Sequence, residues 1–255
     1  MKFSPFLLSS SVLAATQIAD GNDAQIESYP YQVGIELSGK FYCGGTILSN
    51  KYIVSAGHCT LLPNVTEPLT KLRIRAGTAT RESGGQLVNV SDYQAHPEFK
   101  MGLADADSDV SVFELAQPLE FSDTVAPIDS LAFADDGFPR EGRPCQVTGW
   151  GSKTPTGPFS TTLQVVELPV ADRGGCVQKY DELGTGQEVG ERMFCAGDFE
   201  EESPICQGDS GGALVSDGQM LGIVSWGKGC RAKGYPAVFT SISKVRDFIA
   251  DVTGI

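Results

Sequence analysis

The chain contains 255 residues, of which 41% are hydrophobic and 20% charged, so it can bury a core and is not a disordered chain. Nineteen basic residues against 32 acidic ones give a net charge of −13, which argues against nucleic acid or an anionic membrane as the main partner. Seven cysteines are unusual for a reducing compartment and favour a secreted protein.

The start of the chain has the features of a secretory signal peptide. Lys2 supplies a positive charge, and the segment 6–15 is apolar with serines and ends on small residues suited to cleavage. An apolar first strand is the alternative interpretation. No later stretch is apolar over about 18 residues, so the sequence predicts no transmembrane helix. In a secreted protein, the Asn-X-Ser/Thr triplets at Asn64 and Asn89 are candidate glycosylation sites.

Short apolar or alternating runs, separated by turn residues, predict many β-strands. The predicted strands cover residues 31–37, 41–48, 52–56, 71–76, 86–90, 110–115, 145–148 and 163–170. A hairpin follows, in which an Asp217-Gly218 turn joins residues 214–215 to 220–224.

Two segments do not follow the strand pattern. The Pro/Gly/Asp-rich stretch 133–144 has no periodicity and is either a linker between two β halves or a long surface loop. Apolar residues at helical spacing over 245–252, with Ser243 as the predicted N-cap, indicate a terminal helix, the only clearly helical segment. Short strands with one terminal helix predict an all-β sandwich or barrel.

Two histidines are the first candidates for a general base near neutral pH. His58 follows an apolar run, at a predicted strand end, and the adjacent Cys59 could anchor it. His96 precedes Pro97 in a loop-like stretch and has no such setting. A single histidine is more often structural than catalytic, so the assignment of His58 depends on other motifs.

Two further motifs carry groups that can cooperate with a histidine. Ser210 lies in the Gly-Asp-Ser-Gly-Gly motif of residues 208–212, where glycines let backbone N–H groups approach a reacting atom, although a Gly-rich turn would look the same. Asp109 begins a half-buried strand, where its carboxylate could fix the tautomer of a histidine. The alternative is that Asp109 is a surface residue of an acidic cluster with Asp105 and Asp107.

Five motifs, taken in this order, resemble those of the chymotrypsin/trypsin family of serine proteases. They are Cys-Gly-Gly-Thr-Ile-Leu at 43–48, Ser-Ala-Gly-His-Cys at 55–59, Gly-Trp-Gly at 149–151, Cys-Gln-Gly-Asp-Ser-Gly-Gly at 206–212 and Ser-Trp-Gly at 225–227. The resemblance runs from about residue 18 to the terminal helix, and the order His58, Asp109, Ser210 also matches.

The fold that this resemblance implies is all-β, with two packed six-stranded antiparallel β-barrels and a C-terminal α-helix. The barrels would cover about 31–132 and about 145–240, with 133–144 as their connection, and the helix about 243–253. The site would lie in the cleft between them. We therefore expect a signal peptide at 1–15, a two-residue propeptide at 16–17 and a peptidase domain at 18–255.

The resemblance also assigns catalytic roles. Ser210 would be the nucleophile, His58 the general base and then the general acid, and Asp109 the group that orients the imidazole. The backbone N–H groups of Gly208 and Ser210 would form the oxyanion hole.

Substrate recognition is expected in a pocket beside the nucleophile. The predicted substrate-binding residues are Pro204, Ile205, Gln207, Ser225, Trp226, Gly227 and Ala237. Trypsins have Asp where this chain has Pro204, and Ala237 stands where glycine is common, so we expect cleavage after apolar residues such as Leu, Met or Phe. Ser225-Trp226-Gly227 matches the segment that pairs with the substrate backbone as an added strand. Entry of an acid from 200–202 into the pocket would instead favour a basic substrate residue.

Disulfide pairing and activation follow from the same resemblance. The implied disulfides are Cys43–Cys59, Cys176–Cys195 and Cys206–Cys230, which leaves Cys145 as a free thiol facing Ser216. Ile18 would become the first residue of the active chain, and its α-amino group would pair with Asp209.

Together these features predict a secreted, monomeric serine endopeptidase. Its partners would be protein or peptide substrates and protein protease inhibitors, with no cofactor, no catalytic metal, no nucleic acid and no membrane. A catalytically silent homologue that binds a partner through the same cleft is the alternative. A secreted β-sandwich adhesion or lectin domain is a third hypothesis, against which the ordered motifs argue.

Overall fold

The computed structural model of the protein describes residues 21–61, 69–100, 107–132 and 137–255. The expected signal peptide and propeptide, Ile18 and Asn64 lie outside these residues. Within them, the chain forms fourteen strands and two α-helices. The strands are β1 (Asn22–Asp23), β2 (Gln32–Leu37), β3 (Lys40–Ile47), β4 (Tyr52–Ser55), β5 (Leu72–Ala76), β6 (Gln86–Ala95), β7 (Ser111–Leu115), β8 (Ser130–Leu131), β9 (Pro144–Gly149), β10 (Gln164–Pro169), β11 (Met193–Ala196), β12 (Ala213–Ser216), β13 (Gln219–Trp226) and β14 (Ala237–Ser241). The helices are α1 (Arg173–Asp181) and α2 (Ile242–Thr253).

The first barrel closes in the order β2-β3-β4-β7-β6-β5, with every neighbouring pair antiparallel. The sequence of strand β5 shows why the chain forms a barrel here. Its apolar side chains alternate with arginines and are buried, whereas the arginines are partly exposed, as expected for a strand with one face toward a core. The predicted alternation of this strand is confirmed.

The second barrel follows the order β10-β9-β12-β13-β14-β11. Its ring is completed where the ends of β10 and β11 meet. Val170 bridges Ala196 there, and the Gly197 N–H donates to the Pro169 carbonyl at 2.8 Å. The short strand β1 pairs with β10 at one edge of this sheet, and β8 pairs in parallel with the start of β13. The all-β fold class is confirmed.

The two barrels are joined by polar as well as apolar contacts. The Thr148 hydroxyl of the second barrel donates to the buried Gln32 side chain of the first at 2.7 Å. The Trp150 and Phe41 rings meet edge to face, with centroids 5.7 Å apart. A buried Gln would be costly without a partner, so Thr148 and Gln32 stabilise this interface as a pair.

The hairpin predicted around Asp217-Gly218 is confirmed. It joins β12 to β13, and both turn residues have positive φ, 50° and 73°, as a type I′ turn requires. One strand boundary was predicted wrongly, and three strands were not predicted. Strand β6 continues to Ala95 through a bulge after Val90, where it pairs with β7, because the polar residues that ended the predicted strand are exposed there and need not be buried. The strands β1, β8 and β11 were not predicted, since two to four residues are too few to show a periodicity.

The terminal helix was predicted correctly, but its cap was not. Helix α2 begins at Ile242, so the N-cap is Ser241 and not Ser243. Helix α1 was missed because Gly174 and Gly175 lie in its first turn and are poor helix formers. It forms because the Asp172 carboxylate accepts both of their N–H groups, at 3.3 Å and 2.7 Å. No helix among the described residues is long and apolar enough to cross a membrane.

Candidate active site

His58 is held at the end of a barrel strand by a short helical turn and a disulfide. The turn Gly57–Thr60 follows β4 directly, and its buried Cys59 is joined to Cys43 of β3. A Cβ atom on the first residue of the turn would come within 2.9 Å of the Phe99 ring. These contacts fix the backbone that carries the imidazole.

The Asp109 carboxylate lies against His58 and uses both of its oxygens. Asp109 is 1% exposed. Its Oδ1 accepts the His58 backbone N–H at 2.7 Å, and its Oδ2 lies 2.8 Å from His58 Nδ1. The Ser225 hydroxyl donates to the same Oδ2 at 2.5 Å, and the Thr240 hydroxyl donates to the Asp109 backbone carbonyl at 3.0 Å. Because an ionised carboxylate only accepts hydrogen bonds, this contact requires a proton on Nδ1, so in the neutral imidazole Nε2 is the acceptor. The interpretation of Asp109 as a surface residue is therefore wrong.

Of the two residues just before Asp109, Ser108 has a strained backbone and Asp107 is bound to the second barrel. Ser108 has a φ of 62°, and its buried hydroxyl has no hydrogen-bond partner in the described ranges; strain of this kind costs on the order of 1–3 kcal/mol. Asp107 accepts the Arg192 backbone N–H and its guanidinium, both at 2.8 Å. The same guanidinium is 2.7 Å from Glu98. This ion pair across the barrels stabilises the strained segment and so the position of Asp109.

The pKa of His58 lies above its ordinary value. Burial lowers the pKa of the imidazole, whereas the hydrogen bond and the negative charge of Asp109 raise it. The net change is a higher pKa. The raised pKa means that this site stabilises the imidazolium, which is the form that His58 takes when it accepts a proton.

Ser210 lies on a turn that requires glycine neighbours. Gly208 and Gly211 have φ values of 94° and 80°, in the left-handed region that favours glycine. A Cβ atom on Gly211 would overlap the Gly44 carbonyl oxygen and the Ser55 hydroxyl. The Gly44 N–H donates to the Ser210 carbonyl at 2.8 Å. Strand β3 of the first barrel thus holds the turn of the second.

Two backbone donors beside Ser210 are unused. The N–H groups of Gly208 and Ser210 donate to no acceptor in the part of the chain that the structure describes, whereas the N–H groups of Asp209, Gly211 and Gly212 donate at 3.2, 2.9 and 3.0 Å. Free donors of this kind can stabilise an oxyanion. Within the same residues, no hydrogen bond joins His58 to the Ser210 hydroxyl; such contacts often tighten only with substrate bound.

The Asp209 carboxylate points away from Ser210 into a small cavity. Its Oδ1 accepts the Gly151 N–H and its Oδ2 the Cys206 N–H, both at 3.0 Å. Burial raises the pKa of Asp209 to about 6, although both hydrogen bonds oppose the rise. The cavity has a volume of about 30 Å³ and also borders Gly21, three residues after Ile18. Cβ atoms on Gly149 or Gly151 would overlap the carboxylate.

Two residues of the predicted substrate pocket are apolar and buried. Ala237 is 2% exposed and Ile205 9%, and Pro204 lies beside Ile205 at the cavity of Asp209. Trp226 is fixed because its indole N–H donates to Met193 Sδ at 3.4 Å. Gly227 and Gln207 are exposed at the surface.

The three glutamates at 200–202 do not enter this pocket. All three are exposed, and the Glu202 carboxylate lies 3.5 Å from Arg231. The hypothesis that one of them provides a negative charge inside the pocket is therefore wrong.

Three disulfides are present, Cys43–Cys59, Cys176–Cys195 and Cys206–Cys230, the same pairs that the resemblance implies. Cys145 is buried and free. Its thiol donates to the Arg143 carbonyl at 3.4 Å, and the Arg143 guanidinium donates to the Ser216 hydroxyl at 3.0 Å. Burial raises the pKa of Cys145 to about 11, with Arg143 lowering it and Asp217 raising it.

Among the described residues, one group of side chains has metal-binding elements close together, namely Cys43, His58 and Cys59. Both sulfurs belong to a disulfide, so they offer no thiolate, which is the form that binds metals. These residues therefore cannot hold a metal while the disulfide is intact.

Two other predicted positions lie away from His58 and Ser210. The Asn89 side chain is exposed in β6, so a glycan could be attached there without disturbing the core. His96 packs on Phe248 with ring centroids 5.0 Å apart and accepts the Glu98 N–H at 3.2 Å. These contacts are structural, in agreement with the preference for His58.

Several residues that hold the site were not found from the sequence. The hydroxyls of Ser225 and Thr240 and the side chain of Arg192 reach Asp109 or Asp107 across 85 to 131 positions of the chain. Ser225 was assigned only to substrate binding. No local pattern marks these contacts, since they depend on how the two barrels pack.

Known proteins resemble the chain over most of its length. The family model described as Trypsin matches residues 18–249. Trypsin 5G1 of Aedes aegypti is 34% identical over 247 residues, which cover 96% of this chain and 88% of that protein. Trypsin iota of Drosophila melanogaster is 36% identical, with 94% and 90% covered.

A solved structure also matches. It is that of neuropsin, a serine protease expressed in the limbic system of mouse brain, with a TM-score of 0.78 at 28% identity. The match covers 91% of this chain and 98% of that one.

Proposed function

The chain belongs to the trypsin family of serine proteases and is a serine endopeptidase, and we propose that it cleaves peptide bonds through an acyl-enzyme formed on Ser210. The observation that carries the proposal is the hydrogen-bonded pair of His58 and the buried Asp109, at 2.8 Å. This pair leaves Nε2 free to accept a proton. The unused N–H groups of Gly208 and Ser210 support the same assignment.

In the first step, the Ser210 hydroxyl attacks the substrate carbonyl while His58 Nε2 accepts its proton. Asp109 stabilises the resulting imidazolium and keeps its orientation. The carbonyl oxygen becomes an oxyanion, to which the N–H groups of Gly208 and Ser210 donate. Loss of one such donor typically raises the barrier by about 2.7–4 kcal/mol.

In the second step, the imidazolium gives its proton to the leaving amine, and the peptide bond breaks. The acyl group is then an ester of Ser210. Water, deprotonated by His58, hydrolyses this ester and restores the serine. The protein supplies orientation and charge stabilisation, and no cofactor takes part in these steps.

The residue before the cleaved bond is apolar. Pro204, Ile205 and Ala237 supply neither a charge nor a side-chain donor, so a substrate Lys or Arg would be buried without a partner, at a cost of several kcal/mol. The Ala237 methyl makes the pocket shallower than glycine would, which favours Leu or Met over the largest side chains.

The protein is secreted and is activated by cleavage before Ile18. The disulfides favour an oxidising compartment. After removal of residues 1–17, the α-amino group of Ile18 pairs with Asp209, whose raised pKa marks a buried carboxylate that a cation would stabilise. Amino-terminal sequencing of secreted, active protein tests this step, because a start other than Ile18 contradicts it.

A fluorophosphonate probe, combined with peptide hydrolysis, tests the function itself. The proposal predicts covalent labelling of Ser210 and cleavage of a peptide with Leu or Phe before the bond. Absence of labelling in correctly processed protein would instead identify a silent homologue. A clear preference for Arg over Leu would contradict the apolar pocket but not the chemistry.

A further inference from the structure

Two lysine ammonium groups converge on one tyrosine ring at the edge of the proposed cleft. Lys228 Nζ is 3.8 Å from the centroid of the Tyr235 ring, and Lys179 Nζ is 5.3 Å from it. Both distances are within the range of cation–π attraction. We call these three residues the lysine–tyrosine cluster.

Aromatic packing connects the cluster to the cleft. Tyr235 meets Tyr180 edge to face at 5.7 Å, and Tyr180 meets Trp226 at 4.8 Å. The Lys228 N–H donates to the Tyr180 hydroxyl at 3.2 Å, and that hydroxyl donates to the Pro236 carbonyl at 2.9 Å. The backbone of Lys228 is therefore fixed, although its side chain is exposed.

Under the proposed function, a bound peptide pairs with the segment 225–227, and the cluster then lies along its path. Ser225 donates to Asp109, so the segment 225–227 starts beside the catalytic residues. Strand β13 ends at Trp226, and Lys228 follows two residues later, so a peptide paired with 225–227 would bring the residue about three positions before the cleaved bond beside Lys228. The substrate side chain before that bond enters the pocket walled by Gly227 and Ala237. The peptide beside Lys228 is consequently the amino-terminal part of the substrate.

Neither lysine has an ion-pair partner among the described residues. In the described ranges no carboxylate lies within ion-pair distance of Lys228 or Lys179, whereas Lys51 is 2.6 Å from Glu114. The chain as a whole carries a charge of −13. Two unpaired ammonium groups beside the cleft therefore form a local positive edge on an acidic protein.

From this geometry we infer that Lys228 and Lys179 select substrates with an acidic side chain about three residues before the cleaved bond. The inference rests on the proposed function, because it requires a peptide bound along 225–227. It defines the substrate class as polypeptides with Glu or Asp on the amino-terminal side of an apolar cleavage residue. One exposed ion pair changes an equilibrium about 1.4- to 5-fold. Two lysines that attract a substrate Glu and repel a substrate Lys should therefore make kcat/KM about tenfold higher for the Glu peptide than for the Lys peptide.

The test uses three peptides that differ only at the position three residues before the bond, with Glu, Gln or Lys, and share Leu at the cleavage position. For the natural chain, we expect kcat/KM to fall in the order Glu, Gln, Lys, with about tenfold between the extremes at low salt. The ratio should shrink as salt rises, because ions screen exposed charges.

Substitutions of the two lysines test whether these side chains cause the preference for Glu. Lys228→Glu should reverse the order, and Lys179→Gln should reduce the Glu preference by about half. The matched control is Lys233→Glu, which makes the same charge change at an exposed position of the same loop. It should leave most of the preference intact. Fluorophosphonate labelling of every variant checks that the active centre is folded.

The outcomes separate the inference from the proposed function. Equal cleavage of the three peptides by the natural chain overturns the inference and leaves the proposed function in place. An equal shift in Lys233→Glu and Lys228→Glu also overturns it, because the selection would then come from the overall field of the protein. Failure to cleave even the Gln peptide, without fluorophosphonate labelling, overturns the proposed function.

Discussion

The proposed catalytic residues and the proposed substrate pocket are held by different forces. The Asp109 carboxylate accepts three hydrogen bonds from His58 and Ser225, and a cross-barrel ion pair fixes the residues before it. The pocket residues Ala237 and Ile205 are held by apolar packing. Hydrogen bonds are directional, whereas apolar contacts tolerate changes of shape. Substitutions at the catalytic residues should therefore abolish the reaction, and substitutions in the pocket should redirect it.

The largest effect is expected at the nucleophile. Ser210→Ala removes the only hydroxyl that His58 is proposed to activate, so kcat/KM for peptide hydrolysis should fall by about 10⁵-fold or more. The fold should survive, because the Ser210 contact that holds the turn is its backbone carbonyl. Circular dichroism and thermal unfolding check the fold. His96→Ala is the control and should keep most activity, and full activity of clean Ser210→Ala would contradict the assignment.

Replacement of the buried acid should lower activity and also change its pH dependence. Asp109→Asn should reduce kcat about 10⁴-fold near neutral pH. Burial lowers the pKa of His58 and Asp109 raises it. The substitution removes the effect of Asp109, so only the lowering by burial remains. Activity needs neutral imidazole and rises with pH through the pKa. The acidic limb of the residual kcat/KM profile should consequently move to lower pH. A limb that stays or moves upward would exclude Asp109 as the cause of the raised pKa.

In the pocket, a smaller and more selective effect is expected. Ala237→Gly removes one methyl group from the wall and should deepen the pocket. One methylene of space is worth about tenfold or more in discrimination, so the Phe-to-Leu ratio of kcat/KM should rise by about that factor. Fluorophosphonate labelling should remain unchanged. An unaltered ratio would mean that Ala237 does not line the pocket.

These two regions also differ in how well the sequence predicts them. His58 and Ser210 lie in motifs whose glycines are required by local geometry, as the positive φ of Gly208 and Gly211 shows, so short segments predict them. The contact of Ser225 with Asp109 joins residues 116 positions apart, and no periodicity encodes such a distance. The depth of the pocket depends on single wall residues and on packing, which the sequence alone leaves open.

Asp209 lies between the two regions and should link stability to pH. Burial raises its pKa to about 6, so the folded state binds a proton more strongly than the unfolded chain, and ionisation destabilises it. Stability should therefore be lost as pH rises from about 4 to about 6. In the precursor carrying Ser210→Ala, Asp209→Asn should raise the Tm at pH 7 and have little effect at pH 4.

The same substitution distinguishes the precursor from the activated chain. In protein beginning at Ile18, the α-amino group would stabilise the ionised carboxylate, and Asp209→Asn should then lower the Tm at pH 7. The same sign in both forms would contradict the pairing. The two Tm differences, measured by calorimetry on matched samples, thus test the activation step independently of catalysis.

The smallest effect is expected at Cys145, which lies near the start of β9, whereas Gly149 at the other end of that strand lies beside Asp209. Its thiol is buried and its pKa is raised to about 11, and only a thiolate reacts rapidly with thiol reagents. The native chain at pH 8 should therefore show almost no reactive thiol, and denaturation without reductant should reveal one per chain. Cys145→Ala should reveal none and lose no more than about 1–2 kcal/mol of stability, since it removes one small buried group. Peptide hydrolysis should be unchanged. A native chain that reacts at once would show that Cys145 is accessible, and a denatured chain with no thiol would show that it is paired with a second molecule.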